Sequence, residues 1–162
     1  MTPEAICLAL WIAVGAGSNP LISDSNSEIC LEVAKESIAQ GVNPIISVSV
    51  GWVESRFTYA TSSAGARGPL QIIPRYWCPN GRLRGCDLVA RGVHALKTYY
   101  NRHSSSDRCG GDFLNSRRYR EWLEPLCHYN SGNICNRSSR FYARSVVNIA
   151  TSVSRIYSSN SN

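Results

Sequence analysis

The sequence predicts a mostly α fold, one compact helical domain, and three observations carry that reading. Apolar residues recur at helical spacing in successive stretches, and proline or small polar capping residues stand at the heads of those stretches. With 162 residues, 43% of them hydrophobic and 17% charged, the chain suits a single folded unit with an ordinary core.

The first stretch, Ile6 to Ala16, is apolar and is followed by Gly17-Ser18. That pattern resembles the hydrophobic core and cleavage region of a secretory signal, and it is too short to span a bilayer. Nothing basic precedes it, however, and Thr2-Pro3-Glu4 reads as a helix start with N-cap, first-turn proline and acidic first turn. Residues 1–18 are therefore either an export signal or a retained helix, packed on the domain or touching a membrane through residues 3–16. Residues 19–28 read as a linker, 29–157 as the main domain and 158–162 as a disordered tail.

Ser25 and Glu28 make a capping box for a helix whose apolar face is Ile29, Val33 and Ser37 with Cys30, Ala34 and Ile38, ended by Gly41. Asn43-Pro44 opens the next helix, which carries no charge until Glu54 in its last turn. Apolar neighbours and the negative end of the helix dipole both disfavour an ionised carboxylate there. Glu54 is thus expected to hold a proton near neutral pH, as a general acid at a glycosidic oxygen must. Phe57 to Ile73 reads as a loop of small residues in which Gly65 and Gly68 permit positive φ and close approach of a ligand.

Downstream, Asp87 is expected to cap a helix whose core face is Val89, Val93, Leu96 and Tyr100. Trp122, Leu123, Leu126 and Tyr129 form a further face, with a break at Pro125. Ser138 or Ser139 is expected to cap the last helix, whose stripe is Tyr142, Val146, Ile149, Val153 and Ile156.

Three linked motifs add to this reading. They are Glu54-Ser55; Ala60-x-Ser62-x-x-Gly65-Ala66 running into Gly68-Pro69-Leu70-Gln71 and Pro74; and Tyr129-Asn130-Ser131-Gly132. Together they resemble the signature of the soluble lytic transglycosylase family of the lysozyme-like superfamily. The resemblance implies a compact goose-type or transglycosylase-like helical domain with a groove for a glycan strand. It also implies cleavage of the β-1,4 bond between N-acetylmuramic acid and N-acetylglucosamine in peptidoglycan. Glu54 would be catalytic. Ser62, Gln71, Tyr129, Asn130 and Tyr142, with Phe141 as fallback for the last, would face substrate, and Ser55, Gly65, Gly68 and Leu70 would shape the motif. Pro69-Leu70 replaces the family's Leu-Met and removes one backbone N–H.

The net charge of +6 comes almost wholly from arginine, 15 Arg against 2 Lys, and no acid follows Glu124. Such a surface suits polyanions, wall polymers and stem-peptide carboxylates among them. The arginines are scattered without an aromatic–basic stacking motif, so no nucleic-acid partner is expected. Seven cysteines point to disulfides and an extracytoplasmic, oxidising location. Short loops favour Cys78–Cys86 and Cys127–Cys135, which leaves Cys30–Cys109. No close cysteine pair suggests zinc, and His94 and His103 read as ordinary surface or core residues, so neither metal nor cofactor is expected.

No second acid lies between Glu54 and Asp87, which favours the single-carboxylate transglycosylase route over a glycosidase pair. Asp87, Asp107 and Asp112 lie on later segments, so a hydrolytic goose-type lysozyme remains the alternative, as does a non-catalytic wall-binding or virion structural module. The expected setting is a monomer serving a secretion system or a virion.

Overall fold

Helix starts fall where local chemistry sets them. The computed structural model describes residues 1–15, 24–104 and 116–160. Helix α1 (Pro3–Ala13) is capped by Thr2, whose hydroxyl accepts the Ala5 amide at 3.3 Å. Its apolar stripe, Ile6, Cys7, Ala9 and Leu10, is buried against α2 (Asp24–Gln40), α3 (Pro44–Ser55) and α7 (Arg137–Asn160). In the structure this segment is a helix packed on the domain. A disulfide joins Cys7 to Cys30, with Cα atoms 6.1 Å apart. The expected Cys30–Cys109 pairing is therefore corrected: α1 lies alongside α2 and brings Cys7 to Cys30, while Cys109 is outside the described residues. Cys78–Cys86 and Cys127–Cys135 do pair.

Helix α2 begins at Asp24, whose charge suits the first turn, so Ser25 lies inside the helix and does not cap it. Residues 24–28, expected as linker, are helical; residues 19–23 lie outside the described residues. Gly41 ends α2 at φ 68°, and Asn43 starts α3 by accepting the Ile45 and Ile46 amides at 3.0 and 3.3 Å. Every residue from Pro44 to Gly51 is buried, so α3 is the central helix, with α1, α2 and α7 packed around it. Its buried serines cost little, since Ser49 donates to the Ile45 carbonyl and Ser47 to that of Asn43.

A long loop with one isolated bridge, Arg67 to Ile72, leads to the short helix α4 (Pro74–Trp77) and a 3-10 turn, Pro79–Gly81. Helix α5 (Leu88–His103) is capped by Asp87, which accepts the Ala90 amide at 2.9 Å. A 3-10 helix, Ser116–Trp122, runs into α6 (Leu123–Ser131). The break thus falls before Pro125, which sits in the first turn of α6 where its missing N–H is not needed. The cap of α7 is Asn136, not Ser138 or Ser139. Its side chain accepts the Ser139 amide and its own amide donates to the Ser139 hydroxyl, both at 2.9 Å, a reciprocal box. Val146 and Val153 are buried, and Ile149 and Ile156 lean on the core. The helix continues to Asn160, so residues 158–160, expected in the tail, are helical, and 161–162 are outside the described residues. Among the described residues the fold is all α, without a named strand, and no helix is long and apolar enough to cross a membrane.

Candidate active site

Glu54 owes its position to how α3 ends. Arg56 takes the left-handed conformation at φ 55°, and Phe57 follows at φ 59°. The Arg56 amide donates to Trp52, the 5→1 bond of an αL closure made without glycine, and the Phe57 amide donates further back to Gly51. Two consecutive non-glycine residues at positive φ are costly, on the order of 1–3 kcal/mol each. The offset is the Phe57 ring, fully buried against α3 at Gly51, where an added Cβ would come within 2.6 Å of it. The Arg56 guanidinium lies over the Trp52 ring at 4.2 Å. This turn throws the chain back beneath the last turn of the helix and leaves Glu54 facing a groove.

The loop after it is tied down at neighbouring carbonyls. Ser55 donates to Pro69 O at 2.8 Å and accepts the Thr58 amide at 3.2 Å, while the Tyr129 hydroxyl donates to Leu70 O. Pro69 lacks an N–H, yet its carbonyl still anchors the loop. Leu70 is fully buried in a notch at Gly92, where an added Cβ would meet it at 2.6 Å. A Cβ added at Gly68, at φ 76°, would likewise meet Leu88, at 2.8 Å, whereas one at Gly65, at φ 82°, would face open space. Ser62 folds its segment on itself: its hydroxyl accepts the Ala66 amide at 3.0 Å. The Arg67 guanidinium reaches the Thr61 hydroxyl in the same loop. Gln71, at φ 50°, donates its side-chain amide to the Ala60 and Gly68 carbonyls at 2.8 and 2.9 Å. Ser62 and Gln71 thus brace the loop as well as line the groove.

The groove encloses about 460 Å³ and brings Glu54, Ser62, Gln71, Tyr129 and Asn130 together. Asn130 is exposed at its edge and does not cap α6, whose cap is Gly132. Tyr142 is not part of the lining. It approaches Glu54 from α7, and its buried hydroxyl has no partner in hydrogen-bonding geometry. Phe141, the fallback for that position, points outward.

Burial pushes the Glu54 carboxyl up to about 7, and the nearby Tyr142 hydroxyl pulls it partly back. Both phenols are held well above their ordinary range, first by burial and then by the Glu54 charge, so Tyr129 and Tyr142 remain neutral donors. Among the described residues Glu54 is the only carboxylate lining the groove. Asp87 is committed to its helix cap and borders a separate hollow with Gln40 and His94; Asp107 and Asp112 lie outside the described residues.

Sequence reasoning missed an aromatic wall. Tyr76, Trp77 and Tyr99 line the groove, with Trp77 and Tyr99 ring centroids 5.8 Å apart and Tyr99 edge-on to Tyr129 at the same distance. Nothing local marks them, since α4 and α5 meet only in the folded chain. His94 packs on the edge of Trp77, and His103 stacks on His128 at 3.7 Å, a packing arrangement unseen in the sequence. Of the described residues, Glu124, His128 and Cys135 come close enough to share an ion, but Cys135 is spent in its disulfide. No family model, curated protein or solved structure matches this chain.

Proposed function

We propose that the protein is a peptidoglycan lytic transglycosylase with a lysozyme-like fold, and that the groove holds a glycan strand. The observation that carries this reading is Glu54, a carboxyl pushed to about 7 and the only one lining the groove among the described residues. One carboxyl titrating near ambient pH suits a sequence of acid followed by base. Protonated Glu54 gives its proton to the glycosidic oxygen as the bond to the muramyl C1 breaks. Ionised Glu54 then takes the proton of the muramyl C6 hydroxyl, whose oxygen bonds to C1 and closes a 1,6-anhydro ring. Atoms balance without water, and the acid is regenerated. An inverting or retaining glycosidase would instead need a second carboxylate flanking the bond.

The surroundings support a sugar ligand. Trp77, Tyr99 and Tyr76 offer apolar faces to the flat sides of pyranose rings, while Asn130 and the Ser62 hydroxyl offer polar groups to acetamido and hydroxyl substituents. Three disulfides agree with an oxidising, extracytoplasmic setting. The groove is built from one chain, so a monomer suffices, and a secretion system or a virion is a setting in which local wall opening is useful. The test is clearing of purified sacculi by the wild type and by Glu54→Gln. Clearing by the wild type that the variant loses supports the enzyme; equal clearing by both, or none by either, sinks it, and the last outcome favours a non-catalytic wall-binding module.

A further inference from the structure

We propose that the first two turns of α7 dock the protein on an anionic lipid surface. Arg137, Arg140, Phe141 and Arg144 surround a hollow of about 450 Å³ with Cys135 and Asn136. On a helix these positions are neighbours, so the three guanidinium groups and the ring form one face. Phe141 is 73% exposed, and Ile134, next to Cys135, is 76% exposed, more than any other large hydrophobic side chain among the described residues. The Cys127–Cys135 disulfide ties Cys135, one of the residues around the hollow and the chain neighbour of Ile134, back to α6.

Charge sets the sign of the partner. Arg140 lies 3.9 Å from Glu124, an exposed and weak pair, while no ion pair among the described residues engages Arg137 or Arg144. No acidic residue follows Glu124 in the sequence, and the amides of the first turn of α7 add positive potential. The partner is therefore anionic. A soluble polyanion would use the arginines and leave Phe141 and Ile134 in water. A protein interface usually takes about 20–30 residues on each side, far more than this cluster offers. A lipid surface uses both features: guanidinium groups pair with headgroup phosphates, and the phenylalanine and isoleucine enter the boundary with the acyl chains.

This proposal does not depend on the glycan groove, and its test involves no catalysis. The wild-type chain is sedimented with vesicles of phosphatidylcholine alone and with vesicles containing added phosphatidylglycerol. We expect binding to the second only, weakened by salt. Arg137→Gln and Arg144→Gln should each reduce partitioning by about fivefold, the effect of about 1 kcal/mol per surface cation. Phe141→Ser should also reduce partitioning at unchanged charge but leave binding to soluble polyphosphate unaltered, and Phe141→Tyr should retain the vesicle binding. Helix content by circular dichroism is compared for all variants. Failure of the wild type to bind the anionic vesicles overturns the proposal. So does full binding by Phe141→Ser with complete competition by polyphosphate, which would make the face a simple polyanion site.

Discussion

The buried Tyr142 hydroxyl faces the Glu54 carboxyl from α7, outside strict hydrogen-bond geometry yet near enough to act on it as a donor. Its influence favours the charged carboxylate, opposing the larger effect of burial. Tyr142→Phe removes that influence, so the Glu54 pKa should rise above about 7 and the alkaline limb of the sacculus-clearing profile should move to higher pH. A pH profile of kcat/KM measures this. A limb that moves down, or stays fixed, would show that Tyr142 does not act on Glu54.

Glu54 also makes the fold sensitive to pH. Its folded pKa of about 7 lies above the ordinary 4.5, so the folded state binds the proton more tightly than the unfolded chain. The stabilisation belongs to the protonated form: it is fully present below about 4.5 and is lost as pH rises through about 7. The loss is on the order of 3 kcal/mol, from the size of the shift. Glu54→Gln carries no charge to bury, so thermal unfolding should find the variant more stable than the wild type at pH about 8 and similar to it at pH about 4. A variant less stable than the wild type under alkaline conditions contradicts the burial argument.

The notch at Gly92 fixes the loop. An added Cβ would lie 2.6 Å from Leu70, and Leu70 is the residue whose carbonyl Tyr129 holds. Gly92→Ala should therefore cost about 1–3 kcal/mol through overpacking. Clearing activity should also fall, because displacement of Leu70 moves the neighbouring Gln71. Chemical denaturation together with the clearing assay checks both effects. Gly65→Ala meets no atom within 4 Å and should cost only about 1–2 kcal/mol, from its left-handed backbone.

The Cys7–Cys30 bond spans 23 positions and ties α1 to α2. Replacing both cysteines by serine should lower stability by about 3 kcal/mol on the loop-entropy model. Urea unfolding measures it, and an unchanged midpoint would mean that packing of Ile6 and Leu10 alone holds α1.

Local chemistry was legible in the sequence. The caps at Thr2, Asn43 and Asp87 and the stop at Gly41 each depend on residues a few positions apart, and all four stand as read. The motif residues were legible too, in that the structure gathers Glu54, Ser62, Gln71, Tyr129 and Asn130 around one groove. Pairings across the chain were not. Phe57 against Gly51, Leu70 in the Gly92 notch, the Trp77–Tyr99 wall and the Cys7–Cys30 bond all depend on which helices become neighbours, and no spacing rule reports that. The Asn136 cap is a different case. Asn136 and Ser139 stood at box spacing, but the serines next to the apolar stripe competed for the role.

The central claim, one buried carboxyl serving in turn as acid and base, is tested most directly by mass spectrometry of the fragments released from purified sacculi. The account predicts fragments ending in 1,6-anhydromuramic acid from the wild type and none from Glu54→Gln. Fragments ending in reducing sugars, with water added across the bond, would contradict it, as would anhydro products released undiminished by the variant.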